Sequence, residues 1–334
     1  MKKRILISDI AKALGISVTT VSFILNDKAK EKRISEALTN RVLAYVQEVG
    51  YKPNELAKSL RTGKTKIIAL IIEDISNPFF ANIARLIETK AYAQGYRIIY
   101  CSTDNRLDKT QELIELFYDR QVDGFIITPT VGLAPTIQRL KDHAVPLVLF
   151  DRFLADVQTN FVVADNFTGA NEATTHLFEQ GFERVGFVSL RSEQSQMMDR
   201  LTGYSTAVEK QAKERYTLEV ATDSWEQDIQ DKLADFIKEH RIDALLFATN
   251  YLAISGLKAA KAQRFKMPAM IAYDDHTLFE MYEPSISVVS QPVEEIADKL
   301  ISILLNQMQG KSKSLREVVL PCQLKIRESS RFIS

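Results

Sequence analysis

Ser8-Asp9-Ile10-Ala11-Lys12-Ala13-Leu14-Gly15-Ile16-Ser17-Val18-Thr19-Thr20-Val21-Ser22-Phe23-Ile24-Leu25 holds two short helical periods on either side of a glycine. Ser8 offers a hydroxyl to cap a helix running to Leu14, with Ile10, Ala11 and Leu14 on one face. Gly15 supplies the positive φ that a tight turn after a helix requires. Ser17 caps a second helix, Val18 to Leu25, whose Val21 and Leu25 point inward at i, i+4 spacing. A third helix begins near Ser35, carries Leu38, Val42, Tyr45 and Val49 on one stripe, and ends at Gly50. Three short helices with a glycine turn between the first two form a helix-turn-helix unit. In such a unit the second helix enters the major groove, and its first exposed residues, here Val18, Thr19 and Ser22 with Phe23 nearby, meet base edges.

A three-helix bundle that binds no nucleic acid would share that pattern, and the tight turn, the caps and the charge together weigh against it. Residues 1–66 hold 14 Lys+Arg against 6 Asp+Glu, a net +8, whereas the remainder holds 29 against 37, a net −8. A basic head on an acidic body directs the head, and not the body, to a polyanion. The chain of 334 residues is long enough for two or three domains, and 46% hydrophobic residues can fill their cores. No run approaches the roughly 18 apolar residues that span a bilayer, so no membrane partner is expected. The start is too short and too polar for a signal peptide, and the two cysteines, Cys101 and Cys322, lack metal-site spacing; both fit the cytoplasm.

Beyond the third helix comes Tyr51-Lys52-Pro53-Asn54-Glu55-Leu56-Ala57-Lys58-Ser59-Leu60-Arg61-Thr62-Gly63. Pro53 suits the first turn of a short helix and Gly63 its end, and a helix this short forms only against a partner such as DNA or a second copy. Gly63-Lys64-Thr65 resembles the end of a phosphate-binding loop, but Lys58 stands where that loop needs a glycine.

Ile10-Ala11, Gly15-Ile16-Ser17, Thr20-Val21-Ser22, Gly50-Tyr51-Lys52-Pro53-Asn54, Ala57, Leu60-Arg61-Thr62-Gly63 and Asp74-Ile75-Ser76-Asn77-Pro78-Phe79-Phe80 together resemble the lactose/galactose-repressor (LacI/GalR) family, and the match runs nearly to the C-terminus. The resemblance implies a helix-turn-helix DNA-binding domain over 1–53, a hinge helix and linker over 54–63, and an effector-binding and dimerisation domain over 64–334. The candidate DNA-contacting residues are then Ser8, Ser17, Val18, Thr19, Ser22, Phe23, Asn26, Lys32, Arg33, Tyr51, Asn54, Ala57 and Leu60. Leu60 matches the family leucine that wedges into the minor groove at the centre of the site.

In the body, apolar runs alternate with amphipathic stretches. Strands are expected at Ile67–Ile72, Arg97–Cys101, Gly124–Thr128, Leu147–Phe150, Val185–Ser189, Ala244–Thr249 and Met270–Tyr273, with helices such as Ala81–Gln94, Lys109–Arg120, Ala170–Gln180 and Trp225–His240 between them. Continuous apolar strands, each followed by a helix, predict parallel sheets covered on both faces, and their number predicts two α/β subdomains. The resemblance implies that these form a periplasmic-binding-protein-like sensor with three crossovers, near Phe161, near Val289 and after Pro321. The subdomains would be about 64–161 plus 290–320, and 162–289 plus 321–334.

Ligands of open parallel sheets sit at the C-terminal ends of the strands, where this sequence places Asp151-Arg152, Asn250 and Asp274-Asp275. The resemblance adds Arg200, in Arg200-Leu201-Thr202-Gly203-Tyr204, as effector-binding arginine, with Asp151, Asn250 and Asp274 as further contacts and Gln291 and Trp225, the sole tryptophan, beside them. It places Phe79 and Phe80 at the cleft mouth. Carboxylates and amides suit hydroxyls, and an aromatic face suits the C–H side of a sugar ring, so the effector expected is a sugar or sugar phosphate. Taken alone, Arg152 and Asp275 read as a surface ion pair or cap, and Asn77-Pro78 as the turn that starts a helix.

Three positions depart from the family pattern. Phe23 stands where most members carry a guanine-reading arginine, and an aromatic ring can touch a thymine methyl but makes no bidentate contact. Lys28, Lys30, Lys32 and Arg33 make the loop between the second and third helices longer and more basic than usual, which adds phosphate contacts. Tyr251 replaces a frequent acidic residue, so no effector identity carries over.

Catalysis is not expected. His143, His176, His240 and His276 have no spacing for zinc or a triad, and neither a nucleophile elbow nor a dinucleotide fingerprint occurs, so no metal site and no cofactor is implied. A solute-binding protein would share the body but not the basic head. The expected partners are double-stranded operator DNA, a small-molecule effector and a second copy of the chain, the homodimer spanning a pseudo-palindromic operator.

Overall fold

The structure is a computed structural model that describes residues 5–51, 63–311 and 314–332. Its contacts divide the chain into two units, residues 1–65 and 66–334.

The first unit holds α1 (Ile7–Leu14), α2 (Val18–Leu25) and α3 (Glu36–Glu48). Gly15 closes α1 with φ +67°, the left-handed conformation expected of it. Ser17 Oγ accepts from the Thr20 N–H at 3.0 Å and Ser35 Oγ from the Leu38 N–H at 3.3 Å, so both caps form. Ser8 is no cap. The helix starts at Ile7 with Leu6 as cap, two residues earlier, and the Asp9 carboxylate accepts the Leu6 N–H at 2.8 Å and satisfies the end itself. Ile10, Ala11, Val21, Ile24 and Val42 make the core. Ile24 takes the central place expected for Leu25, which packs half-buried at the edge of that core.

The second unit carries two six-stranded sheets. The first comprises β1 (Ile67–Ile72), β2 (Arg97–Ser102), β3 (Gly124–Ile127), β4 (Leu147–Phe150), β5 (Phe161–Ala164) and β11 (Glu317–Leu320), in the order β11-β5-β4-β3-β1-β2, all parallel. The second comprises β6 (Val185–Leu190), β7 (Tyr216–Val220), β8 (Ala244–Phe247), β9 (Ala269–Tyr273), β10 (Ser287–Ser290) and β12 (Gln323–Lys325), in the order β12-β10-β9-β8-β6-β7. Only β12 pairs antiparallel. Runs such as Ile68–Ile72 are buried throughout because helices cover both faces, which is why these strands show no alternation.

Against the first sheet pack α4 (Pro78–Ala93) and α12 (Val293–Met308) on one face, and α5 (Leu107–Asp119) and α6 (Ala134–Asp142) on the other. The second sheet is covered by α7 (Asn166–Glu179) and α8 (Ser195–Lys210) on one face, and by α9 (Trp225–His240) and α10 (Asn250–Gln263) on the other. A short α11 (Thr277–Met281) follows β9.

The chain passes between the sheets after Ala164, between Ser290 and Val293, and at Pro321. The first passage falls later than the expected Phe161, since Phe161–Ala164 is itself a strand paired with β4 and β11. Its four residues pair with β4 on one side and the edge strand β11 on the other and are almost wholly buried, so they extend that sheet before the chain leaves it.

Candidate effector cleft and DNA-reading helix

Two strands end in the same way. After β4, Asp151 has φ +70°, and after β9, Asp274 has φ +64°, a left-handed backbone that Asp tolerates better than most side chains. Both carboxylates are buried. Asp274 Oδ1 accepts from Gln291 Nε2 at 2.7 Å. Asp151 Oδ2 accepts from Arg152 Nε at 3.0 Å. The same guanidinium, 2% exposed, gives Nη1 to Asn105 Oδ1 at 3.0 Å and Nη2 to the Glu73 carboxylate. Arg152 is therefore the centre of a buried network and not a surface ion pair. Asp275 does pair as expected, with Lys325 and Arg327.

Arg200 is equally buried, because α8 packs its inner face on α7 and β9. Its Nε donates to Asn166 Oδ1 at 2.8 Å, its Nη1 to the Ala248 carbonyl at 2.5 Å, and its guanidinium lies 3.9 Å from the centre of the Tyr273 ring. Burial pushes both Asp151 and Asp274 above the usual carboxylate range. Arg152 and Arg200 pull Asp151 back, and Arg200 pulls Asp274 back, while Glu73 and Asp151 add repulsion.

Beside this network lies a cavity of about 410 Å³ between the two subdomains. Glu73, Asp74 and Asn77 wall it from the side of the first sheet, and Trp225, Asn250 and Tyr251 from the second. The Trp225 and Tyr251 rings lie 5.0 Å apart at 58°. Asn250 Nδ2 reaches Asn77 Oδ1 across the gap at 3.4 Å. Burial and the nearby Glu73 carboxylate push the Tyr251 hydroxyl far above its ordinary range, so it stays a neutral donor.

Of the effector candidates, Trp225, Asn250 and Tyr251 line the cavity. Asp151, Arg200, Asp274 and Gln291 form the buried polar set and do not themselves line it. Phe79 and Phe80 are not at the mouth. They open α4 with Asn77 as cap, its Oδ1 accepting the Phe79 N–H at 3.1 Å, and both rings turn into the core, Phe80 edge-on to Phe150 at 5.9 Å. Sequence reasoning passed over Glu73 and Asn105, although Glu73 directly follows β1 and so obeys the strand-end rule that found Asp151. It also passed over Thr103 and Thr128, which directly follow β2 and β3 and whose hydroxyls are buried without a protein partner.

On the head, Ser8, Ser17, Val18 and Thr19 are exposed, whereas Ser22, Phe23 and Asn26 are half-buried. Asn26 Nδ2 donates to the Ser22 carbonyl at 2.6 Å, which ties the end of α2 to itself. Lys32 and Arg33 are exposed, with the Lys32 ammonium 5.5 Å from the centre of the Phe23 ring, and Tyr51 packs half-buried on the head's core. Asn54, Ala57 and Leu60 lie outside the described residues.

The profile "Bacterial regulatory proteins, lacI family" matches residues 6–54, and "Periplasmic binding protein-like domain" matches residues 174–330. The ribose operon repressor of Halalkalibacterium halodurans is 29% identical over 329 residues, 97% of this chain and 97% of its own length. Two solved structures share the fold. The lac repressor dimer bound to operator and the anti-inducer ONPF gives a TM-score of 0.84 at 18% identity, covering 99% of this chain and 100% of that one. The Cra transcriptional dual regulator of Pseudomonas putida in complex with fructose 1-phosphate gives 0.73 at 20% identity, covering 79% of this chain and 99% of that one. Among the described residues no single helix is long and apolar enough to cross a membrane. With a lacI-type reading head joined to a periplasmic-binding-protein-like sensor, the chain belongs to the lacI family of bacterial regulatory proteins and is a DNA-binding transcription regulator, not an enzyme.

Proposed function

We propose that the chain is a repressor that binds a pseudo-palindromic operator as a homodimer in the cytoplasm, and that a sugar bound in the cleft sets its affinity for DNA. The observation that carries the sensor half is the polar set of Glu73, Asp151, Arg152 and Asp274 at strand ends, with the buried Arg200 of α8 acting on both aspartates, beside a cavity with the aromatic wall of Trp225 and Tyr251. Buried charges are costly unless they are paired, and a set of this size at strand ends is a binding arrangement more than a stabilising one. Closing the gap that Asn77 and Asn250 already span would change the angle between the subdomains.

On the head, exposed Val18 and Thr19 at the start of α2 would read base edges, with Phe23 set against a thymine methyl in place of an arginine on guanine. Residues 54–61 would form hinge helices on the DNA, with Leu60 as the minor-groove wedge. Fluorescence anisotropy on duplexes selected from a random pool, repeated with a panel of sugars, tests the reading. A palindromic winner whose binding one sugar alters is the expected result. No selected sequence, even at low salt, would refute the head's role, and a selected duplex that no sugar affects would refute the sensor's.

A further inference from the structure

We infer that the cleft takes an uncharged sugar and rejects sugar phosphates and sugar acids; this rests on the reading of the cavity as the effector site. The walls decide it. Glu73, Asp74 and Asp104 line the cavity, and neither lysine nor arginine is among its described lining residues. The guanidinium groups nearby hold protein partners and do not line the cavity: Arg152 bonds Asp151, Asn105 and Glu73, and Arg200 gives Nε to Asn166 and Nη1 to the Ala248 carbonyl while facing the Tyr273 ring. The Lys109 ammonium is turned to Asp104 at 2.7 Å.

A phosphate that lacks a cationic fork can still bind at a free helix N-terminus. Four helices begin at this cavity, and each start is already satisfied or acidic; at α11 the His276 Nδ1 accepts the Leu278 N–H at 3.0 Å. At α4, Pro78 has no N–H to give and Asn77 Oδ1 takes that of Phe79. At α10, Thr249 Oγ1 accepts the Leu252 N–H at 3.3 Å. The first turn of α9 carries Glu226 and Asp228, whose negative charges occupy the positive end of that helix. Burial and neighbouring carboxylates already hold Asp151 and Asp274 above their ordinary range, so a further anion would meet repulsion with little to offset it. Neutral hydroxyls meet the opposite situation: Asn77, Asn105 and Asn250 offer amides, the carboxylates accept O–H donors, and Trp225 and Tyr251 offer faces to C–H groups.

The chain's sole tryptophan is in the cavity wall, so its emission reports occupancy of the site. The full-length protein is titrated at low salt with matched pairs: ribose and ribose 5-phosphate, glucose and glucose 6-phosphate, fructose and fructose 1-phosphate. In any pair that binds, the neutral member is expected to bind tighter by on the order of tenfold or more, with the gap narrowing as salt is added. A phosphorylated member binding tighter would overturn the inference while leaving the sugar-sensor reading intact. Absence of saturable binding by either member of every pair would refute the sensor reading and the inference with it. The double variant Asp74→Asn, Asp104→Asn keeps side-chain shape and removes two charges, so it should shift the ratio toward the phosphorylated member by roughly tenfold. An unchanged ratio would overturn the electrostatic cause.

Discussion

Gly203→Ala sets two effects of opposite sign against each other at one atom. Gly203 lies on α8, one turn after Arg200, where that helix crosses α7. A Cβ at this position would sit 2.3 Å from the Phe167 carbonyl oxygen, 3.1 Å from the Ala170 Cβ and 3.1 Å from the Asn171 N. The closest of these atoms is backbone, so no rotamer change removes the clash, and the helices must part by on the order of 1 Å to restore ordinary van der Waals contact. Overpacking a tight interior costs about 3 kcal/mol at the upper end of its range, whereas exchanging Gly for Ala inside a helix contributes about 1 kcal/mol of stability. The net expectation is a loss of about 2 kcal/mol, which at a urea slope of about 3 kcal/mol/M lowers the midpoint by roughly 0.7 M. The displacement also pulls Arg200 from Asn166 across the same helix pair, so sugar binding should weaken along with stability. Urea unfolding followed by Trp225 emission, with a sugar titration of the folded variant, measures both. A midpoint that rises, as helix propensity alone demands, would refute the packing argument.

Other consequences are sharper in sign than in size. Tyr204 is fully buried, and its hydroxyl accepts the Tyr216 N–H at 2.9 Å while lying 2.9 Å from the Val185 carbonyl oxygen, so Tyr204→Phe should cost about 1–3 kcal/mol in thermal or urea unfolding. Burial holds the His176 imidazole, 3.0 Å from Ser330 Oγ, below its usual 6.5. The unfolded chain therefore binds this proton more readily than the folded one, so stability is full above about pH 6.5 and falls as the pH drops through that value. His176→Gln should make the loss between pH 7 and pH 5 smaller in urea midpoints taken across that range. Lys30 and Arg33 are exposed in the basic turn between α2 and α3, and replacing both with Gln removes four cations from a dimer, so the magnitude of the salt slope of operator binding should fall by about 4 in anisotropy titrations at several salt concentrations.

Much of this was legible because local rules and burial agreed. Gly15, Ser17 and Ser35 specify their turn and caps through conformations few other residues supply, and the run Ile67–Ile72 is too uniformly apolar for anything but a strand covered on both faces. Ser8 misled because Asp9 one residue later serves the same end of the helix. Short strands such as Phe161–Ala164 and Gln323–Lys325 are set by their place beside sheet edges formed far away in sequence, which no local pattern carries. The site divides in the same way. Asp151 and Asp274 follow apolar strands and were found by position. Arg152 read as a surface ion pair because the partners that bury it, Glu73 and Asn105, come from two other strand ends. Phe79 and Phe80 were set at the cleft by resemblance, whereas a helix that starts at Pro78 turns both rings inward.

If sugar in the cleft sets the head's affinity for DNA, linkage makes that coupling measurable from the cleft alone. The measurement is a titration of Trp225 emission with a sugar that binds, carried out with and without a saturating operator duplex selected by the protein itself. The duplex is expected to change the sugar's Kd by a factor of about five or more, in the same direction and by the same factor as the sugar changes the Kd for the duplex. A sugar Kd identical with and without the operator would contradict it.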